Sequence, residues 1–163
     1  MAGKSGEIGM ARNVVNYTAT DGRDKGKVFL LTEMSARQGE EWAMRVLLAL
    51  MGSNAEIPEG FQFLGVAALA SMGLKALTGL KWEVAQPLLE EMLAGIKLLP
   101  DPRKPFVTRE LIEEDIEEIT TRVKLRGEVW KLNMGFLEAV APFLKEKVKE
   151  VSAATKPTRA SQK

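Results

Sequence analysis

The sequence predicts a mainly α protein, a compact helical domain of four to five helices with a small N-terminal β-hairpin. Apolar residues recur every three or four positions over most of the chain, which is the spacing of one helix face. Only the N-terminal part carries short β-branched and aromatic runs between turn formers, which is the pattern of strands. The length of 163 residues and the 45% hydrophobic content fit one domain of ordinary size. We therefore expect a single helical domain with its hairpin over residues 12–151, between flexible tails at 1–11 and 152–163.

The predicted hairpin joins strands over residues 13–18 and 27–32 through the turn DGRDKG at residues 21–26. This turn lacks the glycine spacing and the hydroxyl of a phosphate-binding loop, so we interpret it only as a turn. A two-stranded hairpin alone is marginally stable in water. It must therefore pack on helices or pair with the edge of another chain's sheet.

The first helix is predicted from a capping box. Ser35 and Gln38 have the spacing in which the serine hydroxyl accepts a hydrogen bond from the N3 backbone N–H and the glutamine side chain reaches back to the cap. The helix should end at the turn formers of residues 52–54. Its apolar stripe is Trp42, Val46, Leu47, Leu50 and Met51.

Two further helices are expected in the middle of the chain. Residues 61–80 are apolar nearly all round, and because Lys75 would lie inside a membrane span, we interpret them as a buried central helix. The next helix occupies residues 81–99 and begins near Trp82 or Glu83, since its proline is tolerated only in a first turn. Its inward stripe is Val84, Leu88, Met92 and Ile96.

Three prolines within residues 100–105 break the helical pattern. A long helix follows, with Thr108 as its N-cap, acidic residues in its first turns and basic residues later, an order that suits the helix dipole. We expect Pro142 to break or kink this helix and residues 143–151 to form a short basic helix. The apolar stripe of the long helix is Ile112, Ile116, Ile119, Val123, Trp130, Met134 and Leu137.

The composition excludes several classes of chemistry. The chain contains no Cys and no His, so disulfides, thiolate nucleophiles, zinc fingers and histidine-based acid–base catalysis are absent. The net charge of +1 provides no overall attraction to nucleic acid or to an anionic membrane. The N-terminus lacks the apolar run of a signal peptide, so a cytoplasmic location is expected. We therefore expect no enzyme activity and no cofactor or metal.

Three charged clusters invite a functional interpretation. The acidic run from Glu113 to Glu118 lacks the histidines of a di-iron site, and its acids alternate with the apolar stripe. We interpret it as a solvated face, with a partner-binding acidic surface as the alternative. Arg122, Lys124 and Arg126 are interpreted as a charged helix flank rather than an RNA-binding face. The lysine-rich C-terminus is expected to aid solubility, and a membrane or nucleic-acid role is its alternative.

Four segments of the chain form a recognisable series. They are Leu31 to Gln38 leading into Glu41 to Arg45, then Glu56 to Gly60, then Pro87 to Met92 with Pro100 to Pro102, and finally Leu111 to Glu118. In this order they resemble the small tail assembly chaperones encoded by long-tailed bacteriophages and prophages. The resemblance covers the chain from about Phe29 to Leu137 and leaves both tails outside it.

This resemblance implies a non-enzymatic assembly factor in the cytoplasm of the infected bacterial host. Such a protein would bind the long helical tape measure protein, keep it soluble and help to recruit the tail-tube protein, without remaining in the finished particle. It would use no small-molecule substrate, no membrane and no nucleic acid. Binding a long amphipathic helix requires an apolar groove or stripe with charged rims on a rigid helical body.

The candidate partner-binding residues combine aromatic anchors, adaptable apolar side chains and acids: Trp42, Trp130, Met134, Leu137, Glu114 and Glu118. Trp42, Trp82 and Trp130 each lie on a helical stripe and are core residues by default, whereas one of them at the surface would indicate an interface. A homo-oligomer is left open. The alternative function is a phage virion structural protein, such as a minor tail or connector component. A third is a helical regulator that binds nucleic acid through the basic C-terminus.

Overall fold

The computed structural model describes residues 12–54, 69 and 72–154, and of the last helix beyond residue 135 it describes mainly the backbone. Within these residues the chain forms four antiparallel strands in the spatial order β1-β2-β3-β4. The strands are β1 (Val14–Thr18), β2 (Val28–Thr32), β3 (Ile96–Leu99) and β4 (Arg109–Glu110). The main helices are α1 (Ala36–Met51), α2 (Trp82–Leu93) and α3 (Ile119–Ala154).

The prediction of a mainly α fold with only a small hairpin is wrong, because the protein has a mixed α and β architecture with a four-stranded sheet. The hairpin itself is confirmed, since Asn16 of β1 lies opposite Leu30 of β2 in antiparallel register. The prediction is wrong about the strands that pair with this hairpin. The helix predicted over residues 81–99 includes Ile96 in its inward stripe, but Ile96 lies in a strand and pairs with Leu31 of β2. A short apolar run is compatible with a helix or a strand, and only its tertiary partner decides.

The helix that precedes β3 ends at Leu93, so that the chain can turn toward β2. Gly95 lies so close to the neighbouring strand that a Cβ atom there would be 3.0 Å from the carbonyl oxygen of Thr32. The backbone N–H of Thr32 donates to the Gly95 carbonyl at 3.1 Å. The glycine therefore permits the close backbone approach with which the β2–β3 pairing begins.

The start of α1 is confirmed at its N-cap. The Ser35 hydroxyl accepts a hydrogen bond from the backbone N–H of Gln38 at 3.1 Å, as the capping box predicts. The predicted start of α2 is also confirmed, since the helix begins at Trp82. Half of the central helix predicted over residues 61–80 lies outside the described residues. Its described end, Leu74–Gly79, is a 3₁₀ helix that follows Gly73 at a φ of 68°.

The long helix begins later and ends later than predicted. Thr108 is not its N-cap, because β4 and a 3₁₀ turn at Glu113–Asp115 precede α3, which starts at Ile119. Pro142 lies inside α3, so of the predicted break or kink the break is wrong, and the kink stays a prediction. A proline in a helix removes one backbone donor and crowds one turn. The helix-favouring residues on both sides continue the helix across that loss.

The helices pack on one face of the sheet and enclose a single apolar core. Strand β2 alternates in burial, with Phe29 and Leu31 fully buried and the residues between them half-buried. The two inward side chains lie opposite Leu98 and Ile96 of β3. The main helical contributions to this core are Trp42, Val46, Leu50, Leu88, Met92, Leu125, Val129, Trp130 and Met134. Five residues of the predicted apolar stripes are exposed instead: Met51, Val84, Ile112, Ile119 and Val123.

Candidate functional site

The structure brings three of the predicted partner-binding residues together in the core. Trp42 and Trp130 form an edge-to-face pair with ring centroids 5.9 Å apart, and Met134 lies beside them. The indole N–H of Trp42 donates to the carbonyl of Leu88 at 3.0 Å. The indole N–H of Trp130 is buried and has no hydrogen-bond partner in the described part of the chain.

These aromatic residues surround a cavity of only about 10 Å³. Its lining is apolar except for one amide side chain: Met34, Trp42, Met92, Val129, Trp130, Asn133 and Met134. A volume of this size corresponds to about one water molecule and excludes a side chain of a partner. In the conformation observed, the cluster stabilises the packing of α1, α2 and α3, and its role in partner binding stays a prediction.

The remaining predicted partner-binding residues lie on or near α3. Leu137 lies within the helix, and its side chain is outside the described residues. Glu114 is exposed on the 3₁₀ turn that precedes α3. Glu118 is half-buried and accepts a hydrogen bond from the Arg23 guanidinium at 3.0 Å. Its pKa is lowered chiefly by that Arg23 contact. Glu118 is thus engaged with the hairpin turn.

The hairpin turn binds the two residues that precede α3, Glu117 and Glu118, a contact that the sequence did not indicate. Asp24 is fully buried and accepts hydrogen bonds from the Lys27 ammonium at 2.8 Å and from the backbone N–H groups of Glu117 and Glu118 at 3.0 and 2.9 Å. Burial by itself would raise the pKa of Asp24, but these donors outweigh it and lower the pKa to about 2. A carboxylate at a helix N-terminus is also favoured by the helix dipole.

The acidic run is therefore not a uniformly solvated face. Asp115 is 5% exposed and accepts two hydrogen bonds from the Arg109 guanidinium, each at 2.6 Å. The Arg109 contact lowers the pKa of Asp115. The sequence distance of Arg109 from Asp115 gives no periodic signal, because the intervening residues form a strand and a turn. This pair joins the end of β4 to the segment that leads into α3.

Three basic residues of α3 are paired with acids from other elements. Arg122 donates to both carboxylate oxygens of Glu90 at 2.6 and 2.8 Å, and Arg126 lies 3.6 Å from the same carboxylate. Lys124 donates to Asp21 of the hairpin turn at 2.5 Å. These contacts agree with the interpretation of a charged helix flank.

An open apolar groove of about 330 Å³ lies between the 3₁₀ helix Leu74–Gly79 and the first turns of α2. Its lining is Leu74, Leu77, Thr78, Leu80, Trp82, Ala85 and Leu89. Trp82 is 65% exposed, in contrast to the buried Trp42 and Trp130. Lys75, Lys81 and Glu83 are exposed on the same two segments. An exposed tryptophan beside an apolar groove with charged neighbours is typical of a protein interface.

A second apolar surface lies on the outer side of α1. Met44, Leu48 and Met51 are exposed and recur at helical spacing, so they share one face of the helix. Phe106, in the loop between β3 and β4, is 97% exposed and stands apart from the groove lining. The groove beside Trp82 combines concave shape with an aromatic anchor, and we take it as the candidate functional site.

In the described part of the chain, no group of three or more acids is placed to hold a metal ion. No helix among the described residues has both the length and the apolar character needed to cross a membrane. Comparisons with protein families, with curated proteins and with solved structures each found no match to this chain.

Proposed function

We propose that this protein is a phage tail assembly chaperone that binds helical segments of the tape measure protein and promotes assembly of the tail tube around it. It would act in the cytoplasm of the infected bacterium and would not be an enzyme. Two arguments support the proposal: the resemblance of four sequence segments to that family and the apolar groove beside Trp82. The exposure of Trp82 is the single structural observation that carries it.

The groove suits the apolar face of an amphipathic helix. Helix-in-groove recognition uses a few apolar anchors at helical spacing that enter a hydrophobic channel. Leu77, Leu80 and Leu89 supply aliphatic walls, and Trp82 supplies a large flat surface at the rim. Trp is the residue most enriched where truncation costs the most binding energy.

The charged neighbours of the groove suit a reversible interaction. Lys75 and Lys81 are exposed near the lining, and ion pairs at a solvated rim contribute little affinity but favour the correct orientation. A chaperone must release its client when the tail-tube protein arrives. An open groove with a polar rim would permit that exchange, because the client helix stays partly solvated along its outer face.

The alternative is a virion structural protein, and one observation supports it. Strand β1 forms an edge of the sheet, where a neighbouring subunit in a particle could add a strand. This alternative predicts that the protein remains in purified particles, whereas the chaperone proposal predicts that it is absent from them.

The test is co-expression with the neighbouring large, helical reading frame of the source genome, followed by affinity capture and sizing of the complex. The proposal predicts that the long partner is recovered in soluble form only when this protein is present. Trp82→Ala should abolish that recovery, since it removes the anchor at the groove rim. Its thermal stability should stay close to that of the wild type, because the side chain is mostly exposed.

Phe106→Ala is the matched control, since it removes another large exposed aromatic side chain, one that lies away from the groove. It should recover the partner as the wild type does. Equal recovery by both variants would place the client elsewhere on the surface. An insoluble partner with no complex, together with this protein in purified particles, would overturn the chaperone function and support the structural one.

A further inference from the structure

The two edges of the sheet differ in length and in charge. One edge is β4, which has only two residues, Arg109 and Glu110, both charged. The other edge is β1, which has five residues and neither a charge, a proline nor a glycine. Natural sheets protect exposed edges with short strands, charges, prolines or bulges. The edge at β4 has the first two of these protections, and β1 has none.

The free edge of β1 presents the backbone groups of alternate residues. Asn13 and Ala19, just outside the strand, exchange backbone hydrogen bonds with the β2 side, through Glu33 N–H to Asn13 and Ala19 N–H to Lys27. In an antiparallel pair the bonded residues alternate, so the odd-numbered residues face β2. The N–H and C=O groups of Val14, Asn16 and Thr18 therefore point away from the sheet. Within the described residues, β1 pairs with no strand other than β2.

We propose that β1 is the dimer interface of this protein, where it pairs in antiparallel register with β1 of a second copy. The two sheets then form one continuous eight-stranded sheet about a two-fold axis at Asn16. This interface does not depend on the proposed function or on the groove at Trp82.

The strand is complementary to itself in this register. With Asn16 on the axis, Val14 lies opposite Thr18 of the second copy, so every outward backbone group meets another outward group and about six hydrogen bonds form. On the helix-bearing face, Val15 lies opposite Tyr17 of the second copy. Pairs of a β-branched and an aromatic residue are favourable across antiparallel strands. Val15 pairs with Leu31 and lies on the same face of the sheet, yet Leu31 is fully buried and Val15 is 43% exposed. A second copy would cover Val15.

The charges that flank the strand also fit a second copy better than a random partner strand. The register that centres on Asn16 places the exposed Arg12 opposite Thr20 of the second copy, next to Asp21. Asp21 is exposed, and its side chain already binds Lys124. An isologous interface forms this contact twice, because the same surface patch is used by both copies.

The first test uses the absence of cysteine from the chain. Asn16→Cys places two thiols across the axis at a Cα separation of about 5.5 Å, within the range that a disulfide spans. Mild oxidation should convert most of this variant into a covalent dimer. Thr18→Cys is the matched control, since its two copies would lie about 13 Å apart along the strands and should stay monomeric under the same treatment.

The second test adds charges at the axis of the full-length protein. Asn16→Lys and Asn16→Asp each place two like charges opposite one another, so each variant alone should elute as a monomer in sizing. A mixture of the two should elute as a dimer, because the lysine then faces the aspartate. Both variants should keep the thermal stability of the monomer, since residue 16 is exposed.

Three outcomes would overturn the interface. They are a wild-type protein that stays monomeric at all concentrations, equal cross-linking of the two cysteine variants, and a dimer that neither charged variant dissociates. The last result would assign dimerisation to another surface. In each case, binding of the tape measure protein at the groove beside Trp82 would be unaffected. Failure of the proposed dimer interface is therefore distinguishable from failure of the chaperone proposal.

Discussion

Two of the contacts between helix α3 with its N-terminal approach and the rest of the protein use different interactions. Just before its first residue, the hairpin turn holds the chain through charged groups. Asp24 accepts hydrogen bonds from the backbone N–H groups of Glu117 and Glu118, and Arg23 pairs with Glu118. Further along, Trp130 packs against Trp42 in the apolar core. The charged contact is directional and defines where the helix begins, whereas the apolar contact buries area and tolerates small shifts.

The two attachments should therefore respond differently to mutation and to solution conditions. Removal of buried apolar volume lowers the free energy of unfolding at every pH. Removal of a buried carboxylate lowers it only where that carboxylate is ionised. The comparison can be tested in three steps, from the apolar cluster to the charged junction.

The largest effect is expected for Trp130→Ala. Trp130 is 4% exposed, so the truncation should lower the free energy of unfolding by about 3 to 5 kcal/mol, as measured by denaturant unfolding. A loss of stability well below this range, together with weaker client binding, would show that Trp130 contacts the client rather than the core.

A pair of conservative variants separates ring packing from hydrogen bonding in this cluster. Trp42→Phe loses the bond to the Leu88 carbonyl, whereas Trp130→Phe loses no bond that the described residues show. Trp42→Phe should thus be the less stable variant by about 1 kcal/mol.

An intermediate effect is expected for Asp24→Asn. The change removes the charge that accepts hydrogen bonds from Lys27 and from the backbone just before α3, and should cost about 2 kcal/mol at neutral pH. The folded-state pKa of Asp24, about 2, lies below its ordinary value of 3.8. Its stabilising contribution is therefore complete above pH 3.8 and is lost as the pH falls toward 2.

Unfolding of the wild type and of Asp24→Asn should be measured across this pH range. The difference in stability between them should shrink on acidification, while that between wild type and Trp130→Ala should stay nearly constant. A difference that is independent of pH would show that the Asp24 carboxylate is not the origin of the stabilisation.

The smallest effect is expected at the glycines of the hairpin turn. Gly22 and Gly26 both have positive φ values, 63° and 87°, so alanine at either should cost about 1 kcal/mol in backbone strain. A Cβ at Gly22 would also lie 2.9 Å from Glu118, whereas one at Gly26 meets nothing within 4 Å. Gly22→Ala should therefore be the more destabilising of the two by thermal unfolding. Equal losses of thermal stability would mean that a Cβ atom at Gly22 does not clash with Glu118.

Prediction from sequence succeeded where the signal was local. The Ser35 cap with Gln38, the strands of the hairpin and the start of α2 at Trp82 all depend on residues within one or two turns of one another. It failed at Ile96, whose strand exists only because β2 offers a partner 65 residues earlier in the chain. No periodic pattern encodes such a pairing, since the run is too short to distinguish the two periods.

The same distinction holds for the candidate site. The sequence identified three tryptophans on helical stripes but did not separate them, since amphipathic spacing marks a face without saying what covers that face. The packing of α1, α2 and α3 buries Trp42 and Trp130 and leaves Trp82 beside the groove. The hydrogen bonds of Asp24 were missed for a related reason, because the backbone N–H groups that it binds lie more than 90 residues away in the chain.

The amino-acid sequence by itself determined the chemistry that this protein lacks and the local elements from which it is built. A chain without Cys or His excludes whole classes of catalysis in any fold, and caps and turns depend on neighbouring residues alone. Tertiary structure decided the number of strands, the beginning of α3 and which tryptophan is exposed. These features depend on contacts between distant segments. Such contacts contribute to the free energy of folding only after the chain has closed the intervening loops.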